Sequence, residues 1–151
     1  MSATRRGRSA RANDAWEAVL TAHSVMMKNF ARSRVWENAS MREYDVLYTL
    51  SKSPEPLRLS ELGKHLLLSQ PALSRLVERL EERGLVSRCS DPDDGRAVHL
   101  SLTDQGRDLQ RHIGLIHGRE VAAAVTAALD DEELATLRDL ATRLYTAQEQ
   151  R

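Results

Sequence analysis

Between residues 60 and 106 the apolar side chains change period, and each change is marked by a residue that starts or stops an element. Leu73, Leu76, Val77 and Leu80 recur at spacings of three and four, one face of a helix. Val98, Leu100 and Leu102 alternate with His99 and Ser101, the period of a strand with one buried face. Ser60 is placed to cap a short helix, SELGKHL, and Ser69 to cap the next. Pro71 falls in the first turn of that second helix, where its missing N–H costs nothing. Gly84 follows Arg83, where a left-handed residue closes a helix. LVSRCS and RAVHLSL then read as two strands flanking an acidic turn, and Thr103 caps a long helix after them.

The remaining segments read as helices. One begins after Ser40, lines a face with Tyr44, Leu47 and Leu50, and stops near SPEP, where Pro54 and Pro56 forbid continuation. LRL at 57–59 is a short extended piece. Earlier, Trp16, Val19, His23, Met26, Met27 and Phe30 share one face of a helix that Asn13 or Asp14 caps and that runs to the vicinity of Trp36. The helix after Thr103 extends toward Leu129. Asp130 and Glu133 have capping-box spacing for a last helix, whose apolar stripe is Leu134, Leu137, Ala141 and Leu144.

Two short helices joined by a tight turn and followed by a β-ribbon make a winged helix-turn-helix. The expected class is therefore mostly α with a small β wing (α+β), extended by terminal helices. Those helices carry apolar stripes far apart in sequence, which suits pairing with each other and with a second copy. Trp16, Val19, Leu134, Leu137 and Leu144 are the dimerisation candidates. The expected organisation is a disordered basic arm over residues 1–12 and an N-terminal dimerisation helix over 13–39. The winged helix-turn-helix then spans 40–102 and the C-terminal dimerisation helices 103–151.

Charge balance argues against simple electrostatic binding of nucleic acid, since 22 Lys+Arg meet 22 Asp+Glu. The charges are segregated, however. Arg5, Arg6, Arg8 and Arg11 precede any acid, whereas Asp130, Asp131, Glu132 and Glu133 form an acidic run. The basic segment is readable either as a loose tail or as an arm that touches DNA phosphates. No apolar run approaches the roughly 20 residues of a membrane helix. The basic start has no apolar segment behind it, unlike a secretory signal. A single cysteine, Cys89, excludes an internal disulfide, and a cytoplasmic location is expected.

The helix SQPALSRLVERLEER has two faces. Its buried one leaves Gln70, Ser74, Arg75, Glu78 and Arg79 pointing away. Gln matches the adenine edge and Arg the guanine edge in a bidentate fashion, and base contacts come mainly from the first turns of such a helix. Ser69 and the free N–H groups at the helix start suit a phosphate. An ordinary solvated amphipathic helix fits the same pattern. The wing adds Arg96, placed at a ribbon tip to enter a narrow minor groove, with Asp94 two residues earlier to hold the guanidinium through paired hydrogen bonds. A calcium loop starting at Asp91 fails, because Arg96 stands at its glycine position and Leu102 at its closing glutamate. Gly95 is the residue that lets the turn take positive φ.

At this point the segment LSQPALSRLVERLEERGLVSRCSDPDDGRAVHLSLTDQG resembles the MarR family of bacterial transcriptional regulators. The marks are the helix ending ERLEERGLV, the turn DPDDGRA and the junction LSLTDQG; the likeness covers residues 40–106 in motif and the flanks in element order. The family pattern has a second basic residue beside the wing arginine; here Gly95 stands there, which lowers the expected phosphate contact and leaves the tip arginine. The resemblance implies a homodimer on a pseudo-palindromic double-stranded DNA operator, recognition helices in major grooves and wings in flanking minor grooves. It further implies a repressor released by a small anionic or phenolic effector, bound between the dimerisation and DNA-binding parts.

That places His23, Trp36, Tyr44, Tyr48 and His112 among the effector candidates, with Ile116 nearby; core and interface packing is the simpler explanation of them. Cys89 is read as a small buried or half-buried strand residue, because no cysteine lies near the first helix, where some family members sense oxidants. His112 and His117, five apart, do not share a face, and no metal or cofactor is expected. Gly114 and Gly118 inside the long helix permit either close helix contact or a bend. A rival reading is a winged-helix protein-interaction module without specific DNA binding. An enzyme is not expected, since no phosphate loop, nucleophile elbow or acid–base pair is present.

Overall fold

The computed structural model describes residues 2–64, 66–90 and 98–149, the first five of these by backbone alone. Helix α1 (Ser2–Phe30) is followed by a 3₁₀ turn (Arg34–Glu37) and by α2 (Met41–Lys52). A short strand β1 (Leu57–Arg58) leads into α3 (Leu59–Lys64), and α4 (Gln70–Glu82) completes the helix-turn-helix. Strands β2 (Val86–Ser90) and β3 (Val98–Leu102) form the ribbon. Then come α5 (Asp104–Thr126) and α6 (Asp131–Glu149).

The ends of these elements are chemically specified. Ser40 caps α2 in a reciprocal box: its hydroxyl accepts from the Glu43 amide at 3.3 Å, and the Glu43 carboxylate accepts from the Ser40 amide at 2.8 Å. Asp130 and Glu133 do the same for α6, at 2.9 and 3.0 Å. Helix α4 ends in a Schellman arrangement, with Gly84 at φ 68°, its amide donating to the Glu81 carbonyl at 2.8 Å and the Leu85 amide to the Leu80 carbonyl at 2.9 Å. Thr103 caps α5 by accepting from the Gly106 amide at 3.0 Å, while its own hydroxyl donates to the Gly84 carbonyl at 2.6 Å.

The ribbon gains a third strand. The order is β1-β3-β2, antiparallel throughout, with Leu57 opposite Leu100 and Val86 opposite Leu102. Its inner face closes over a core of Val46, Leu47 and Leu50 from α2, Leu62 from α3, and Leu73, Leu76, Val77 and Leu80 from α4, with Leu85, Val86, Leu100 and Leu102. A second cluster joins Val35, Ala39, Tyr44 and Ile113.

The chain divides into two compact units. Met27–His117 contains both cores; Met1–Met26 with Gly118–Arg151 forms the other, in which no described residue is buried. The second unit exposes Trp16, Val19, Leu20 and Val25 on α1, and Leu137, Leu140, Leu144 and Tyr145 on α6.

Several sequence expectations are corrected. Residues 2–12 are helical rather than a disordered arm, so Asn13 and Asp14 lie inside α1 and cap nothing. This segment has no proline and a single glycine, and alanine and arginine favour a helix. Helix α1 stops at Phe30, not near Trp36; the Trp36 indole N–H reaches back to the Phe30 carbonyl at 2.7 Å and satisfies the helix end. Ser60 sits inside α3, which starts at Leu59. Ser69 stands at the N-cap of α4 but its hydroxyl makes no capping bond. Val98 is exposed although Leu100 and Leu102 are buried, because it lies at the far end of the ribbon. Cys89 is exposed on the outer face of β2.

Candidate nucleic-acid interface

Helix α4 presents two sides with different jobs. Leu73, Leu76, Val77 and Leu80 are buried against α2, α3 and the sheet, and they fix the helix rotation about its axis. At 100° per residue this rotation turns Gln70, Ser74, Arg75, Glu78 and Arg79 outward. Gln70, Arg75 and Arg79 are exposed, and among the described residues Arg75 and Arg79 form no ion pair. The Ser74 hydroxyl approaches the Glu78 carboxylate at 3.4 Å, one turn along the same face.

The neighbouring arginines are engaged instead. Arg88 on β2 pairs with Glu81 at 2.7 Å, tying ribbon to helix. Arg83, at the end of α4, donates to the Glu43 carboxylate at 3.1 Å and to the Asn38 carbonyl at 2.5 Å. Burial works against the Glu43 charge, but the Ser40 amide and hydroxyl and the Arg83 guanidinium outweigh it, so the carboxyl sits below its ordinary value. Arg83 had no reading in the sequence because its partners lie 40 and 45 residues away.

The wing strands are in place, with Ser90 opposite Val98 as their outermost pair. The tip readings, Asp94, Gly95 and Arg96, lie outside the described residues.

The effector candidates separate. Tyr44 is buried and its ring lies 5.7 Å from Trp36, 5.8 Å from Tyr48 and 5.9 Å from His117. Trp36 is 5.1 Å from His117, and Phe30 completes the group at 5.2 Å. Burial raises the Tyr44 phenol above its ordinary value, partly countered by a hydrogen bond with Gln110. His112 lines a different recess, with Asn38, Arg83 and Asp108. His23 is exposed on α1.

A recess of about 670 Å³ is lined by Asp45, Tyr48, Thr49, Lys52, Ser53, Leu57, Leu66 and Leu67. Of the residues picked from sequence, only Tyr48 reaches it. Asp45, Tyr48, Thr49 and Lys52 are spaced i, i+3, i+4 and i+7, so a second, polar stripe on α2 was the readable signal. The Lys52 ammonium stands 5.0 Å from the Tyr48 ring centre. Desolvation raises the Asp45 carboxyl, with His117 pulling it back. Among the described residues no group of His, Cys, Asp and Glu is arranged to hold a metal ion.

A helix-turn-helix whose second helix is held by its apolar side, followed by a β-ribbon, defines a winged helix-turn-helix protein. Residues 39–97, most of that module, match the model of the MarR family. A regulator of Bacillus subtilis (strain 168), the uncharacterized HTH-type transcriptional regulator YkoM, is 33% identical over 89 residues, 59% of this chain and 55% of its own. The chain thus spans about half the length of that curated relative. Sco3205, a MarR family transcriptional regulator from Streptomyces coelicolor solved with DNA, is 28% identical, with a TM-score of 0.78 over 91% of this chain and 88% of its own. The PcaV transcriptional regulator of the same organism, solved with its natural ligand, is also 28% identical, with a TM-score of 0.67 over 89% and 91%. Within residues 39–97 the chain is similar to the MarR family, and its fold resembles that of solved MarR family regulators.

Proposed function

We propose that the chain is a ligand-responsive transcriptional regulator, not an enzyme, that binds double-stranded DNA as a homodimer in the cytoplasm and represses by occupying a pseudo-palindromic operator. The observation that carries this reading is the outer face of α4. Its apolar side is consumed by the core, and Arg75 and Arg79 stand exposed without a protein partner among the described residues. Together with Gln70 and Ser74 they supply donors in the geometry of base edges, and Ser69, its hydroxyl unused in capping, is available to a phosphate. Arg96, with Asp94 two residues before it in the sequence, is the wing's proposed contribution in the minor groove. Similarity to a relative solved with DNA supports the reading.

The ligand-responsive part rests on the recess beside α2. Its leucines, the Tyr48 ring and the Lys52 ammonium suit a small aromatic anion or phenol. Trp36 and Tyr44 contribute through the ring cluster that backs Tyr48; His23 and His112 stay candidates of second rank. Such a ligand releases the operator only by binding the DNA-free geometry better. Trp16, Val19, Leu134, Leu137 and Leu144 are the proposed dimer contacts.

The test is fluorescence anisotropy with the DNA upstream of the chain's own gene against an unrelated duplex. We expect selective, salt-sensitive binding. Arg75→Ala and Arg79→Ala should each weaken the selective complex by about 10- to 100-fold, the worth of a bidentate base contact. They should cost the unrelated duplex less. Equal weak binding to both duplexes, unmoved by either substitution, would overturn the reading.

A further inference from the structure

The N-terminal turns of α1 are a second element rich in positive charge. Arg5, Arg6, Arg8 and Arg11 fall in the first 13 residues, which contain no acid. With these four set aside from the 22 basic residues, 18 remain against 22 acidic ones, so the rest of the chain is net negative. A chain with that balance gains little from long-range attraction to DNA unless some element concentrates its positive charge.

The backbone orders that element. Residues 2–12 belong to one continuous helix whose first turn has no acidic residue. The positive end of the helix dipole is therefore not offset there. Arg5, Arg8 and Arg11 are spaced by three, so they occupy one stripe that turns by about 120° over about 9 Å of helix. Over that distance a duplex presents about five phosphates. Arg8 and Arg11 are exposed, and among the described residues neither forms an ion pair.

We propose that the first three turns of α1 form an interaction surface for the phosphate backbone of double-stranded DNA, adding sequence-independent affinity to the selective contacts of α4. The inference rests on the DNA-binding reading above. An anionic membrane surface is the rival polyanion. Residues 2–12 argue against it: Ser, Ala, Thr, Arg and Gly supply no large apolar side chain, and a helix that lies in a lipid interface needs an apolar face.

The experiment compares the full chain with a variant carrying Arg5→Ala, Arg6→Ala, Arg8→Ala and Arg11→Ala. Alanine favours a helix, and circular dichroism and thermal unfolding verify that the fold is kept. Each phosphate contact contributes about 0.9 to the slope of log K against log salt. We expect the slope to become shallower by at least about 2 per protomer. Binding should weaken by about tenfold or more at low salt, equally for the upstream DNA and the unrelated duplex, so that selectivity is unchanged. Four Arg→Lys substitutions should restore most of the binding, because a phosphate accepts either point charge.

An unaltered slope in a variant whose parent binds DNA would sink this inference and leave the reading of α4 intact. A loss confined to phosphatidylglycerol vesicles would sink it too and assign the helix to membranes. A parent chain that binds neither duplex would overturn both readings.

Discussion

Gly106 sits where α5 begins against the start of β2, and a Cβ added there would lie 1.9 Å from the Leu85 carbonyl oxygen and 2.8 Å from its carbon. The obstacle is backbone, which does not rotate aside as a flexible side chain does. The contact is also tied: the Thr103 amide donates to that same carbonyl at 3.2 Å, and the Thr103 hydroxyl to the Gly84 carbonyl beside it. Gly106→Ala should therefore cost about 3 kcal/mol, the upper range for overpacking a filled site. The measurement is the shift of the urea midpoint at constant slope; a loss below about 1 kcal/mol would mean that the junction slides freely. The sequence made Gly84 readable, because a glycine after the last helical residue has a known use. It offered LSLTDQG only as a family mark, since the crowding at Gly106 comes from Leu85, 21 residues earlier. Gly114 was likewise ambiguous on paper. A Cβ there would meet the Tyr44 hydroxyl at 3.1 Å, so the space serves a phenol from α2.

Among the elements, α2 is held at its start by one carboxylate with three partners. Glu43 closes the box with Ser40 and receives the Arg83 guanidinium that also reaches the Asn38 carbonyl. The end of α4 is thereby pinned to the segment before α2. The Glu43 carboxyl lies below its ordinary value of 4.5 in the folded chain. Its contribution is thus complete above that value and is lost as pH falls through the lower folded one. Glu43→Gln should cost about 1 kcal/mol near neutral pH, a modest figure because the Arg83 side chain is 41% exposed. The difference between variant and parent should shrink as pH drops from about 5 to 3. Denaturant melts across that range decide it, and a cost independent of pH would show that the charge is not what holds the helix. Elements whose signals are local were readable: the Ser40 start, the Asp130–Glu133 box, the stop at Pro54 and the period of α4. The end of α1 was not, since no glycine or proline marks Phe30 and the residue that satisfies its carbonyl is Trp36, outside the helix.

At the scale of the whole molecule, the unit formed by Met1–Met26 and Gly118–Arg151 has no buried residue among those described, yet it exposes Trp16, Val19, Leu20, Leu137, Leu140, Leu144 and Tyr145. Helices with an uncovered apolar stripe gain their stability by covering it, and large exposed apolar patches mark association surfaces. The stripes at Trp16 and Leu134 onward were legible from their spacing. A second copy of the chain is the cover proposed above. A homodimer satisfies both this requirement and the two half-sites of a palindromic operator. Changing Leu137→Glu and Leu144→Glu together should place two carboxylates on the stripe and yield a monomer by light scattering. Because the two protomers of a dimer hold their half-sites jointly, the monomer should bind the upstream DNA about 100-fold more weakly or worse. Its winged module should keep its own fold, since neither leucine belongs to the core of Met27–His117. A doubly substituted chain that stays dimeric would place the interface elsewhere. One that becomes monomeric yet binds with parental affinity would show that a single recognition helix and wing suffice.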